Sequence, residues 1–135
     1  MRVAVLAALM LAGCAGGRAP DTAGDASALA AMLAGRTPAP AGRCISLSGV
    51  DGPTVVGGSL VYRDGRRLLV STPPAGCPAL GGDPIVVTEV FGGQLCAGDR
   101  FHTLERGSSI PGPDCRFGPF VPWATGRGLP EHTRN

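Results

Sequence analysis

Apolar and polar positions follow three different patterns along this chain, and each predicts a different kind of segment. Val3 to Leu11 is an unbroken apolar run behind Arg2, of signal-peptide length and too short to cross a hydrocarbon core as a helix. From Ala15 to Gly42 the chain is mostly Ala, Gly, Pro, Thr and Asp, without the aromatic and β-branched residues that seed a core, and residues 14–42 read as a tether. Within it, Asp25 is placed to cap a turn or two of helix in which Leu29, Met32 and Leu33 share a face and Gly35 ends the run. So short a helix is marginal alone, and the segment is read as a spacer.

The third pattern starts at Arg43 and has a period of two. Cys44 to Ser48 predicts a first strand, and Val55 to Tyr62 and Arg67 to Thr72 flank Asp64-Gly65, a two-residue hairpin loop. Ile85 to Phe91 is β-branched and aromatic; Gly92-Gly93 returns the chain into Gln94 to Cys96, followed by Arg100 to Leu104. A last strand is predicted from Cys115 to Val121. Helical periodicity is absent after Arg43, so the expectation is an all-β domain over residues 43–123, a small antiparallel barrel or sandwich of about six strands. Residues 124–135 hold no large apolar side chain beyond Leu129 and read as a flexible tail.

Composition narrows the class. Removing residues 1–13 from the 135 leaves 122, enough for one small domain. Lys is absent, and 12 Arg stand against 10 acidic residues; a balance so close to neutral argues against a dedicated nucleic-acid binder, which needs a concentrated basic face. The 22 Gly and 13 Pro, with the missing Lys, read as compositional bias more than as chemistry.

Five cysteines change the picture most. Cys14 closes Leu11-Ala12-Gly13-Cys14, which resembles the lipobox of bacterial lipoproteins. That resemblance implies diacylglyceryl transfer to the Cys14 sulfur, cleavage before it and acylation of the new amino terminus. Two or three acyl chains anchor a protein durably where one does not, and Ala15 in place of an Asp implies, by the same resemblance, passage to the periplasmic face of the outer membrane. Cys44, Cys77, Cys96 and Cys115 remain. They contain no Cys-x-x-Cys spacing, so neither a metal site nor a cofactor is expected, and in an exported protein they are expected as disulfides. Three pairings are possible. A closed meander favours Cys44 with Cys115 and Cys77 with Cys96, loops whose chain entropy corresponds to roughly 4 and 3 kcal/mol.

The segments Arg43-Cys44-Ile45, Cys77-Pro78-Ala79-Leu80, Leu95-Cys96-Ala97-Gly98-Asp99 and Cys115-Arg116-Phe117, in that order, resemble a proteobacterial family of small secreted or lipid-anchored four-cysteine proteins of unknown function. The resemblance covers residues 43–122 and implies a compact β domain; it carries no catalytic residues.

Candidate chemistry is sparse. An enzyme would use His102 with Asp99 or Glu105 and a hydroxyl such as Ser108 or Ser109, but no nucleophile elbow, zinc helix or phosphate-cradling loop accompanies them, and no enzyme is expected; His132 falls in the tail. Arg63, Arg66 and Arg67 ring the first hairpin and could grip a phosphate, with Asp64 partly cancelling their field. Phe117, Phe120 and Trp123 form either an aromatic contact surface or the bottom of the core, the latter preferred. The expected role is a non-enzymatic binding or structural one in the cell envelope, toward an unidentified envelope protein or polymer. The alternative is a small inhibitor or ligand carrier acting on an envelope hydrolase or an apolar ligand.

Overall fold

The computed structural model describes residues 22–126; Cys14 with its lipobox, and Leu129 and His132, lie outside them. The amino-terminal end departs first from the sequence reading. A helix, α1, spans Thr22–Leu33, so Asp25 sits inside it and not at its cap, and Gly35 closes it with a left-handed φ of 73°. Leu29, Met32 and Leu33 do share a face, and that face packs on Val61, Leu68 and Val70. After it come β1, Arg36–Pro38, and a bridge between Gly42 and Phe120. Residues 22–42 therefore belong to the domain and are not a tether. A helix too short to stand alone gains its stability from burying an apolar face against a partner.

The remaining elements are β2 (Cys44–Ser46), β3 (Asp51–Val56), β4 (Ser59–Asp64), β5 (Arg67–Ser71), a single 3₁₀ turn (Pro78–Leu80), β6 (Ile85–Thr88), β7 (Gln94–Cys96), β8 (Arg100–Leu104), β9 (Cys115–Arg116) and β10 (Phe120–Thr125). All pairings of these strands are antiparallel. The largest sheet has the order β1-β10-β5-β4-β3, and two smaller ones are β2-β7 and β6-β8-β9. The fold is thus all-β apart from its helix, but with ten short strands among the described residues where about six were expected. The run Val55 to Tyr62 is two strands, folded at Gly57-Gly58, whose φ values of 58° and 69° suit a tight hairpin. The run Cys115 to Val121 is broken at Phe117–Pro119. The next hairpin loop is Gly65-Arg66, one residue beyond the expected pair, because Asp64 still pairs with Arg67.

The large sheet is covered on both faces. Val61, Leu68 and Val70 meet α1 and the half-buried Trp123. Leu60, Tyr62 and Leu69 face the main core with Ile45, Leu80, Leu95, Phe101, Phe117 and Phe120. This explains why Ser59 to Tyr62 are buried without interruption where an exposed sheet would alternate. Phe117 lies at the centre of the core, its ring 4.7 Å from that of Phe101 and 5.8 Å from that of Phe120.

Both disulfides form, with a pairing other than the nested one. Cys44 bonds Cys96 and Cys77 bonds Cys115. The nested pairing assumed that β7 would return along the Ile85 to Phe91 strand for its whole length and that the first and last strands would close the sheet. Instead β7 pairs with β2, which sets Cys44 opposite Cys96, while β6 pairs with β8. Arg43 O and Ala97 N are bonded at 2.7 Å, so Cys44 and Cys96 form a non-hydrogen-bonded pair, the closer of the two antiparallel arrangements, with Cα atoms 4.0 Å apart.

Candidate functional site

The Cys77–Cys115 bridge ties together two Gly- and Pro-rich loops, and between them lies a half-open groove of about 770 Å³. One wall is the 3₁₀ turn and the chain from Gly81 to Pro84; the other is the loop from Ser108 to Pro113, and the floor is the end of β8 at Thr103. Four prolines, Pro78, Pro84, Pro111 and Pro113, fix φ along both walls. The Ser108 loop is held locally: Ser108 N donates to Glu105 O at 3.0 Å and Ser108 Oγ accepts from Ile110 N at 3.1 Å, a hydroxyl turn. Gly112 N donates to Thr103 O at 2.7 Å. A Cβ on Gly112 would come within 2.8 Å of Thr103 Oγ1, so only glycine lets the loop lie this close to the strand.

The rim is charged and one apolar side chain stands clear of it. Arg106 Nε reaches Asp83 Oδ2 at 2.8 Å across the groove, and the carboxylate raises the guanidinium pKa further. Both side chains are well exposed, so the pair adds little to stability. Ile110 is 77 % exposed. Rigid walls, apolar prolines and a few charges suit an extended segment laid along the groove.

The residues singled out from sequence are scattered relative to it. Glu105 and Ser108 line the groove, but strand alternation turns His102 to the face of β8 opposite the buried Thr103. Asp99 is occupied elsewhere: its carboxylate accepts the Cys96 N–H at 2.7 Å and its N–H closes a turn onto Cys96 O at 3.0 Å. The His102, Asp99 and Ser108 constellation is therefore not assembled. Phe117 and Phe120, each 1 % exposed, offer no contact surface, and Trp123 is taken up by the helix packing. Phe117 and Phe120 are core residues and Trp123 is half-buried beside the helix, so the three do not form a shared aromatic contact surface. Arg63 and Arg66 stay exposed at the hairpin end, where Arg67 is ion-paired with Asp64 and Arg36 Nη1 donates to Arg66 O at 2.7 Å.

The sequence reading missed the groove itself. Its signal was present in Cys77-Pro78 and Pro113-Asp114-Cys115, but the wrong disulfide pairing kept the two loops apart. Among the described residues no group of three or more His, Cys, Asp or Glu side chains could hold a metal ion, and no helix is long and apolar enough to cross a membrane. No protein-family model, curated protein or solved structure matches the chain.

Proposed function

We propose that this protein is a lipid-anchored envelope module, held to the periplasmic face of the outer membrane through Cys14, that binds an extended segment of another envelope protein or polymer in the Cys77–Cys115 groove. The observation that carries the binding role is the groove's construction, in which proline walls, the Ser108 turn and the disulfide preorganise a surface before any partner arrives. Two disulfides suit an oxidising compartment, and the segment Leu11-Ala12-Gly13-Cys14 supplies the address. The exposed Ile110 on its short, locally braced loop also supports the inhibitor alternative, in which that loop enters an enzyme cleft.

Two measurements test the reading separately. Metabolic labelling with an alkynyl fatty acid should tag the wild type and leave Cys14→Ser unlabelled and uncleaved; an acyl-free, normally processed wild type would refute the anchor. A photo-crosslinking residue in place of Ile110 should capture a discrete envelope partner, while the same residue in place of Thr54, on β3, should not. Equal capture from both positions would remove the groove from the account, and capture of a hydrolase would select the inhibitor alternative.

A further inference from the structure

Every charge on the strands of the large sheet lies at one of its two ends. The register gathers Arg36, Asp51, Arg63, Asp64 and Arg67 there, and Arg66 stands in the loop between β4 and β5. At the other end, residues 38–42, 56–59, 71–76 and 118–120 carry no charge. The charged end therefore sets four guanidinium groups against two carboxylates. Among the described residues the ion pairs are Arg67 with Asp64 and Arg106 with Asp83, so Asp51, although opposite Arg63 in the ladder, does not close a pair with it. Arg63 and Arg66 are exposed, and Arg36 Nη1 donates to Arg66 O at 2.7 Å, which brings a third guanidinium to the loop without neutralising it.

The chain's own path decides what this end can meet. Helix α1 finishes at Leu33, three residues before Arg36, so its carboxyl end lies at the charged end and Thr22 starts about 18 Å away along its axis. Cys14 precedes Thr22 by eight residues, which reach at most about 29 Å when fully extended. A lipid on Cys14 thus holds the domain within about its own diameter of the bilayer, on a lead long enough for the arginine end to come down on the surface.

We infer that this end is a membrane-contact face, on which Arg36, Arg63 and Arg66 meet the phosphates of anionic phospholipid headgroups in the leaflet that holds the anchor. The inference rests on the lipid anchor proposed above. Guanidinium groups bind phosphate oxygens through paired hydrogen bonds, and a negative leaflet attracts each basic residue near its surface. An excess of two charges is too small to recruit the domain from solution. It is enough to orient a domain that its anchor already keeps at a high local concentration of headgroups, and that makes the leaflet, not a soluble polyanion, the partner of this face.

Trp123 is the one tryptophan and pairs with Leu68, the residue after Arg67, so it reports on this end directly. The acylated mature chain is reconstituted in phosphatidylcholine vesicles containing a dansyl lipid, with or without phosphatidylglycerol, and energy transfer from Trp123 to the dansyl group is measured. Phosphatidylglycerol should raise the transfer, and about 1 M salt, where the Debye length is about 3 Å, should remove the rise. Arg63→Gln combined with Arg66→Gln should lower the ratio of seated to unseated domain about 30-fold with thermal unfolding unchanged, whereas Arg100→Gln, an equal loss of charge at an exposed position on β8, should leave most of the rise in place. Flotation with pure phosphatidylcholine vesicles reads the anchor by itself: a wild type that does not float lacks it, and both readings fall. A wild type that floats but shows no rise with phosphatidylglycerol, a rise that survives the double substitution, or one that Arg100→Gln removes equally would overturn the membrane-contact face and leave the anchor standing. Transfer unmoved by phosphatidylglycerol together with arginine-dependent binding of dextran sulfate would assign the end to a soluble polyanion and likewise overturn it.

Discussion

Gly118 is where the fold leaves least room. A Cβ at that position would sit 2.1 Å from Thr72 O and 3.1 Å from the Thr72 carbonyl carbon. Both are rigid backbone atoms, and a carbon–oxygen contact needs about 1 Å more than the shorter distance. Gly118→Ala therefore forces the start of β10 and the end of β5 apart, in a segment whose neighbours Phe117 and Phe120 are core residues. Ser71 Oγ donates to Gly118 O at 2.9 Å, so the same displacement strips a buried hydroxyl of its partner. Overpacking costs about 1–3 kcal/mol and a buried polar group left unpaired about 1–3 more, giving roughly 2–6 kcal/mol together. For a domain of this size that corresponds to a fall in Tm of roughly 8–24 °C. Differential scanning calorimetry is the assay, with Gly52→Ala as the control, since a Cβ there meets nothing within 4 Å. The control should shift Tm by no more than a few degrees. A Gly118→Ala shift as small as the control's would refute the argument that this approach of two backbones is tight.

Peptide mapping without reduction should recover Cys44 joined to Cys96 and Cys77 joined to Cys115; a Cys44–Cys115 peptide would overturn the strand pairing described above. The closed loops, with separations of 52 and 38 residues, correspond to about 4 kcal/mol each in the chain-entropy account, so Cys77→Ala with Cys115→Ala should lower stability by about that amount in urea titration. Tyr62 is the one tyrosine, and burial raises its phenol pKa, with a hydrogen bond involving Thr88 pulling weakly the other way. Above the ordinary value of 10 the folded chain keeps this proton while the unfolded chain releases it. Stability should therefore fall as pH rises past 10, by at most about 1.4 kcal/mol per pH unit from this group. Ultraviolet absorbance should show tyrosinate appearing only with unfolding, and Tyr62→Phe should flatten the decline. A normal tyrosine titration in the folded state would show that the ring is open to solvent.

The β character of the chain was legible because it rests on short-range signals: alternating residues from Cys44 onward, and Gly92-Gly93 placed between apolar runs. What was not legible depended on partners distant in sequence. Leu29, Met32 and Leu33 form an apolar face that is too short to commit to a helix, and nothing local reveals that Val61, Leu68 and Val70 wait to receive it. Gly57-Gly58 carried the same hairpin signal as Gly92-Gly93 but lay inside a run apolar enough to pass for one strand, since β4 is buried on both faces. The groove depended on a single long-range fact, the pairing of Cys77 with Cys115. Asp99 looked available for chemistry because a carboxylate's service to a backbone N–H three residues earlier leaves no mark in composition.

The order in which strands appear in the chain has a kinetic consequence. β10, the last strand described, does not extend the large sheet at its edge; it enters between β1 and β5 and delivers Phe120 to the core directly after Phe117. A chain emerging amino terminus first, from a ribosome or through an export channel, can form local hairpins such as β4 with β5 and lay α1 on them, yet β1 has no strand to pair with until β10, more than 80 residues later, has followed. Closure is therefore a late, all-at-once event that requires ends distant in sequence to meet, the kind of non-local assembly that folds slowly. The cysteines share this non-local character: Cys44 has no partner until Cys96 arrives with β7, and Cys77 none until Cys115, so correct oxidation follows the emergence of distant segments rather than accompanying that of each thiol.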